Sequence, residues 1–362
     1  MYLTYVCCIT HLIKYYFSQE ASWRKRTNMK VCYLIQTYKN PEQIYRLVKL
    51  IKNTTSNSFI VISHNFSSCN LNISLFKSLK NVEVIPNNGV MMGSFGIIQG
   101  YFDAVNWLLD QKIDFDWLIN LTGQDYPTQP VFKVEKLLSS TDYDGFIEYY
   151  DVYSKQSPWS RKLVNTRYLY SYKHFKEYLS PRLKYMLRPI KHIVNNCQPF
   201  IRLDYSYGLI VGRKNFSHLL NKNFTCYGGS FFSTLSRDCV TYLHNFVREN
   251  SRVLDYYKKT FIPEESLIQT VLVNSKKFNL CNSNYRYTDF AGSRHGHPNI
   301  LTSKHFPALT QDSIHFARKF DINVDSTILD RLDSRILTDK VSNIPATKFK
   351  IKGSNLIQLV KQ

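Results

Sequence analysis

The sequence predicts an α/β protein built on a mainly parallel sheet flanked by helices, with a basic helical insertion. Three observations carry that expectation. Short apolar runs of strand length recur from residue 31 onward, stretches of helical periodicity fall between them, and turn residues mark the changes.

VCYLIQ (31–36) is a continuous apolar run of the length and type found in buried strands. Asn40-Pro41 follows, an N-cap and a proline at the first helical position. Ile44, Leu47, Val48 and Ile51 then repeat at i, i+3, i+4, i+7, the pattern of an amphipathic helix. FIVIS (59–63) and VEVIP (82–86) read as the second and third strands. Residues 94–110 read as a helix with Ile97, Ile98, Tyr101 and Leu108 on its apolar side. WLINLT (117–122) is the fourth strand, ending at the turn GQDYP, and FIEYY (146–150) is the fifth. Ligands of such sheets sit beyond the carboxyl ends of the strands, which directs attention to 36–38, 64–65 and 123–125. Helix signals return at 236–248 and 263–274, and the last forty residues read as one helix and a polar basic tail.

Composition narrows the function classes. A formal net charge of +20 favours polyanions, acidic membrane faces or phosphorylated small molecules as partners. Ten Lys or Arg against one acid, Glu177, fall between residues 154 and 191, interleaved with Tyr168, Tyr170, Tyr172, Phe175 and Tyr178. That stretch reads as a solvated helical insertion with its tyrosines packed on the core. Single-stranded nucleic acid or an anionic membrane are the alternatives. The eight cysteines include no CxxC pair, so they suit a reduced compartment better than a zinc site or a disulfide framework. Six N-x-S/T sequons are read as background, because one of them, at Asn120, lies inside a predicted buried strand. Residues 1–28 form a leader too short and polar to span a membrane, with its basic cluster on the wrong side for a signal peptide. Met29 is an equally good start, since MKVCYLIQ opens directly into a strand.

No P-loop, GxGxxG, HExxH or GxSxG motif occurs. His295 and His297 lie close together without an acidic or cysteine partner nearby, so they are expected to be loop residues. Asp114-Phe-Asp116 and Asp142-Tyr-Asp144 have the form of a metal-binding Asp-x-Asp. Both precede their strands, on the wrong sheet edge, and are expected to be turn acids.

Four segments carry a resemblance to a known family: INLTGQDYPTQP (119–130), YGGSFFSTLSRDCVTYL (227–243), IPEESLIQTVLVNS (262–275) and HFARKFD (315–321). In that order and spacing they resemble the core-2/I-branching β-1,6-N-acetylglucosaminyltransferase and peptide O-xylosyltransferase family, glycosyltransferase family 14. The last two segments look nearer the xylosyl branch. The resemblance implies a GT-A-like domain over 29–321, followed by a C-terminal helix and tail over 322–362. It implies inverting, metal-independent transfer of xylose or N-acetylglucosamine from a UDP-sugar to a glycan or protein hydroxyl. Arg318 and Lys319 match the cations that take over the metal's task at the diphosphate, and Glu265 matches the catalytic base, with Glu264 left to face the helix dipole. Asp125 would position the donor sugar and Asn65 the uridine, while Gly229, Ser230 and Phe232 would line the substrate sites. Departures fall at Phe232 and Met92, where the family carries Trp, and at Asn65-Phe66, where it carries an Asp-Lys type pair. They leave donor and acceptor open. The setting implied is cytoplasmic or peripheral to a membrane, in a bacterium, or a Golgi-type membrane in a eukaryote. The reading from another class is a basic binding module for nucleic acid or polyanionic glycan on a retained scaffold. A transferase needs Glu265, Arg318 and Lys319 gathered at the sheet's carboxyl edge; a binding module needs only a continuous basic face.

Overall fold

The computed structural model describes residues 29–55, 57–88, 93–176, 178–205, 208–215, 223–293 and 297–342. The leader 1–28, Met92, His295 and the tail 343–362 lie outside the described residues.

The first four strands stand where the apolar runs put them: β1 (Val31–Thr37), β2 (Phe59–His64), β3 (Val82–Pro86) and β4 (Trp117–Thr122). The later strands are β5 (Asp125–Pro127), β6 (Gly145–Phe146), β7 (Tyr150–Asp151), β8 (Tyr170–Lys176), β9 (Ile201–Asp204) and β10 (Leu209–Lys214), then β11 (Tyr227–Gly228), β12 (Thr234–Ser236), β13 (Leu280–Cys281), β14 (Arg286–Thr288) and β15 (Phe316–Arg318). The helices are α1 (Pro41–Thr54), α2 (Ser74–Lys77), α3 (Gly96–Asp110), α4 (Val131–Ser140), α5 (Arg161–Tyr168), α6 (Pro181–Cys197), α7 (Arg237–Glu249), α8 (Ser251–Tyr257), α9 (Leu267–Ser275), α10 (Phe306–Leu309) and α11 (Thr327–Ser342).

The central sheet has seven strands in the order β13-β6-β12-β4-β1-β2-β3. Strands β4, β1, β2 and β3 run parallel, and β12 is inserted antiparallel between β4 and β6. Both faces of β1, β2 and β4 are covered, which is why these strands are buried along nearly their whole length, whereas the edge strand β3 exposes Glu83. Val31, Tyr33 and Ile35 of β1 point to one core with α1, α4 and α11; Cys32 and Leu34 point to the other with α3, α7 and α9. The last helix is part of this body: Arg46 of α1 is paired with Asp330 and Asp333 at 2.7 and 2.8 Å, over buried Ile328, Leu329 and Leu332.

Four expectations are corrected locally. FIEYY is not one strand, because the Asn282 side chain takes the place of a partner strand, accepting from Tyr149 N–H and donating to Tyr149 C=O, each at 2.8 Å. The chain leaves the sheet after Phe146 and pairs again only at β7, with β11. Asn40 stands at the N-cap in the left-handed region (φ 53°), yet its side chain bonds Asp321 at 2.9 Å and not the helix. The helix predicted over 263–274 opens with a separate 3-10 turn, Pro263–Glu265, before α9. The basic insertion is not wholly helical: β8 joins β10 and β9 in a three-stranded antiparallel sheet between α5 and α6. Its tyrosines divide as well. Tyr168, Tyr170 and Tyr172 are buried, whereas Phe175 and Tyr178 stand in solvent.

Candidate functional site

Strand order reverses at β1: the chain steps outward through β2 and β3, then α3 carries it back to β4 on the other side. The crevice at that reversal, beyond the carboxyl ends of β1 and β4, is where open α/β sheets bind ligands. A second small sheet, β14-β15-β5, closes over this edge and sets Arg318 directly opposite Asp125.

Asp125 is fully buried. Its Oδ2 accepts the N–H and hydroxyl of Thr122 at 2.6 and 2.5 Å, and its Oδ1 faces Arg318 Nε at 3.5 Å. The carboxylate therefore closes the β4 turn through Oδ2, while Oδ1 has the Arg318 cation beside it and no hydrogen-bond partner among the described residues. Arg318 lies over the Phe232 ring, 4.2 Å from its centroid. Arg286, which sequence reasoning missed, lies against the rings of Phe232 and Phe316 at 5.3 Å each. Phenylalanine in place of the family's tryptophan is thus a shelf for two guanidinium groups. Arg286 Nη2 donates to the Ser233 carbonyl at 3.2 Å, while its Nε and Nη1 have no hydrogen-bond partner among the described residues. Burial lowers its pKa to about 10, opposed by Asp125 and assisted by the Arg318 charge, so it stays charged at neutral pH. Its only sequence signal was an arginine three residues before the aspartate of RYTD, too common a pattern to single out.

Lys319 extends the positive cluster. Burial lowers its pKa, and the charges of Lys39 and Arg318 lower it further, against Asp321. Asp321 is engaged with Lys39 at 2.7 Å and with Asn40 at 2.9 Å. Buried Gln43 ties this corner together, donating to the carbonyls of Gly123 and Phe320 at 2.8 and 3.3 Å. Loops after β1, β4 and β15 are thereby fixed to one another at the carboxyl edge.

Glu265 sits beside a second cation, also missed. Arg167 of α5 meets its Oε2 at 2.5 Å and stacks on Trp159, 4.3 Å from the ring centroid. One residue of the basic insertion is therefore built into the site. Glu265 is not paired with Arg318 or Lys319. The two clusters are joined through the Gly229–Phe232 segment: Gly229 N–H donates to Glu265 C=O at 2.9 Å, and Phe232 carries Arg318 three residues on, at most about 10 Å of chain. Ser266 and Thr270 of the following turn staple the same segment, accepting and donating around Tyr227 at 2.7–3.1 Å, with Tyr257 bonded to both hydroxyls. Ser230 is held through its carbonyl by Gln269 at 2.6 Å.

Three carboxyl groups gather here. Glu148 is reached by solvent but hemmed in by its surroundings. Partial desolvation raises its pKa first, then the Glu265 charge, against the Ser230 N–H. Glu264, expected to face the helix dipole, lies in the first turn of Pro263–Glu265. It is buried, and burial pushes its carboxyl up to about 8, reinforced by Glu265 and opposed by Arg167. An acid held protonated in the fold loses stability to the unfolded chain as pH climbs past the ordinary carboxylate range, and the loss levels off near pH 8. Glu264→Gln is expected to flatten that slope, raising Tm at pH 8 more than at pH 5; equal shifts at both would contradict it.

The glycine of this segment is required sterically. A Cβ on Gly229 would lie 1.9 Å from the Glu148 carbonyl oxygen, a backbone atom that cannot step aside. Gly229→Ala is expected to cost about 1–3 kcal/mol or more, read as a lower Tm, and to displace Glu265 through the shared backbone bond. Asn65 stands at the end of β2 as expected, but its Oδ1 caps a turn by accepting from Ser67 N–H at 3.0 Å. Neighbouring His64 is a neutral strut: burial lowers its pKa, Nε2–H donates to Cys69 C=O at 2.8 Å and Nδ1 accepts from Thr37 at 2.7 Å.

Among the described residues no group of three or more His, Cys, Asp or Glu is arranged to hold a metal ion. The Asp-x-Asp acids lie at the amino edge: Asp116 accepts from Lys30 N–H at 2.8 Å and Asp144 from Asn279 N–H at 2.8 Å. No described helix is long and apolar enough to cross a membrane.

The family model described as Core-2/I-Branching enzyme matches residues 31–313. Similar proteins include beta-glucuronosyltransferase GlcAT14B of Arabidopsis thaliana, 26% identical over 272 residues that cover 74% of this chain and 54% of that protein. Another is the Mus musculus beta-1,3-galactosyl-O-glycosyl-glycoprotein beta-1,6-N-acetylglucosaminyltransferase 4, 21% identical over 389 residues, 97% of this chain and 75% of that one. The chain spans about half the length of the Arabidopsis relative. Among solved structures, a 4-diphosphocytidyl-2C-methyl-D-erythritol synthase from Anaerococcus prevotii is similar over 62% of this chain and 78% of its own, at 7% identity and a TM-score of 0.29, too low to bear on the site. With the family's own model matched across residues 31–313, the chain belongs to the Core-2/I-branching enzyme family.

Proposed function

We propose that this protein is an inverting glycosyltransferase that moves a sugar from a UDP donor to a hydroxyl of a glycan or protein, with fixed cations serving the diphosphate in place of a metal ion. One observation carries the reading. Lys39, Arg286, Arg318 and Lys319 gather around only two carboxylates, Asp125 and Asp321, which leaves two positive charges at the carboxyl edge. A nucleotide-sugar diphosphate brings two negative charges to such a place. Arg318 offers a planar fork and Lys319 a point charge, the two forms of phosphate donor.

The chemistry follows from the two clusters. Glu265, oriented by Arg167, takes the acceptor hydroxyl's proton as that oxygen bonds to the anomeric carbon. The bond from that carbon to the diphosphate oxygen breaks, its electron pair leaving with UDP. Arg318 and Lys319 stabilise the charge that develops there. Asp125 holds Arg318 in place. The donor sugar is proposed as xylose or N-acetylglucosamine, and the name of the Arabidopsis relative adds glucuronate to the candidates.

The test is release of UDP from UDP-xylose, UDP-N-acetylglucosamine and UDP-glucuronate in EDTA, with and without added acceptor. Turnover of one donor in EDTA is the expected result. Turnover abolished by EDTA and restored by a divalent ion would overturn the metal-free reading. No turnover and no UDP affinity would overturn the transferase.

A further inference from the structure

Helix α6 belongs to the basic insertion and takes no part in the proposed chemistry. It has seventeen residues, none of them buried. Its polar flank is attached to the body through Lys191–Asp204 at 2.8 Å and through Asn195, which bonds Leu203 of β9 at 2.8 and 2.9 Å. The opposite stripe is open. Met186, Ile190 and Ile193, spaced i, i+4, i+7, are 68%, 50% and 59% exposed. Exposed Phe200 and Ile201 follow just past the helix end. A soluble surface helix ordinarily turns such a stripe to the core.

The charge on α6 itself is of one sign. Arg182, Lys184 and Arg188 lie on α6 with no acid anywhere in its sequence, whereas Lys191 is taken up by Asp204 of β9. Exposed aliphatic side chains flanked by cations make an interfacial helix: the apolar stripe enters the headgroup–acyl boundary while the basic residues meet anionic headgroups. Nucleic acid suits the stripe less well, because Met and Ile offer no π-face on which a base can stack. We propose that α6 docks the protein onto an anionic lipid bilayer, lying in the plane of its surface. The inference is independent of the transfer chemistry, since none of these residues belongs to either cluster of the site.

Co-sedimentation of the full chain with phosphatidylcholine vesicles, with and without phosphatidylserine, tests it. Binding is expected on the phosphatidylserine vesicles, weakening with salt and falling roughly fivefold for each basic residue removed from the interface. Met186→Ser/Ile190→Ser/Ile193→Ser and, separately, Arg182→Glu/Arg188→Glu are both expected to lose at least about tenfold in partitioning. All five positions are at the surface, so circular dichroism is expected to be unchanged. Three outcomes would overturn the proposal. One is equal binding with and without phosphatidylserine. Another is full binding by the serine variant, which would mean plain electrostatic adsorption of a basic chain. The last is a wild-type dimer in solution that the serine variant abolishes while vesicles bind neither.

Discussion

Glu265→Gln is expected to lower kcat by roughly 10²–10⁴-fold while leaving UDP affinity unchanged. The reasoning separates two clusters that share an edge but not their contacts. Glu265 is bonded to Arg167 and, through its backbone, to Gly229; of the cations proposed to hold the diphosphate, Arg318 is ion-paired with Asp125, and Lys319 stands beside the Lys39–Asp321 pair. Glutamine keeps an oxygen that accepts from Arg167 Nη1, so the side chain stays where it is and only the proton acceptor is lost. UDP titration and initial-rate kinetics on one preparation check both halves. The rival base is Glu148, whose carboxyl is already held above its ordinary value and reaches solvent. A Glu265→Gln enzyme within tenfold of wild type, with Glu148→Gln inactive, would hand the role to Glu148. Loss of UDP affinity together with kcat would mean that the two clusters are one.

How much of this was legible from sequence depends on whether the information was local. Strands β1, β2 and β4 were readable because both their faces are buried and the apolar run is nearly uninterrupted. FIEYY has the same composition but was misread, because what ends β6 is an asparagine more than a hundred residues away. The family motifs directed attention to Glu265, Arg318, Lys319 and Asp125, yet the partners that give those residues their surroundings lie in other segments. Arg167 comes from a stretch whose charge resembled a solvated face. Arg286 enters through the pairing of β14 with β15, where it stands opposite Phe316, two residues before Arg318. Glu264 and Glu265 are adjacent glutamates in one turn, and only packing separates the buried acid from the half-exposed one. Pairing across a sheet and desolvation are tertiary facts that a local pattern does not encode.

Arg318 and Lys319, adjacent in sequence, are expected to respond in opposite ways when removed. Arg318→Met leaves the buried Asp125 with only the Arg286 charge near it, and breaking a buried pair from one side costs up to about 3–5 kcal/mol. The variant should therefore unfold at markedly lower urea concentration as well as lose UDP affinity. Asp125→Asn added to it removes the stranded charge while keeping a group that accepts from Thr122, so stability should return and UDP affinity should not. Lys319→Ala is the converse case. Burial, Lys39 and Arg318 all disfavour its charge, so its loss should leave stability level or slightly higher. Transition-state charge on the departing diphosphate loses a donor nonetheless, and kcat should fall by roughly 10²–10³-fold. Urea denaturation, UDP titration calorimetry and kinetics on the three variants distinguish a cation kept for the fold from one kept for the ligand. If Lys319→Ala destabilises as much as Arg318→Met and binds UDP normally, the cluster is structural, and the diphosphate lies elsewhere along the sheet edge.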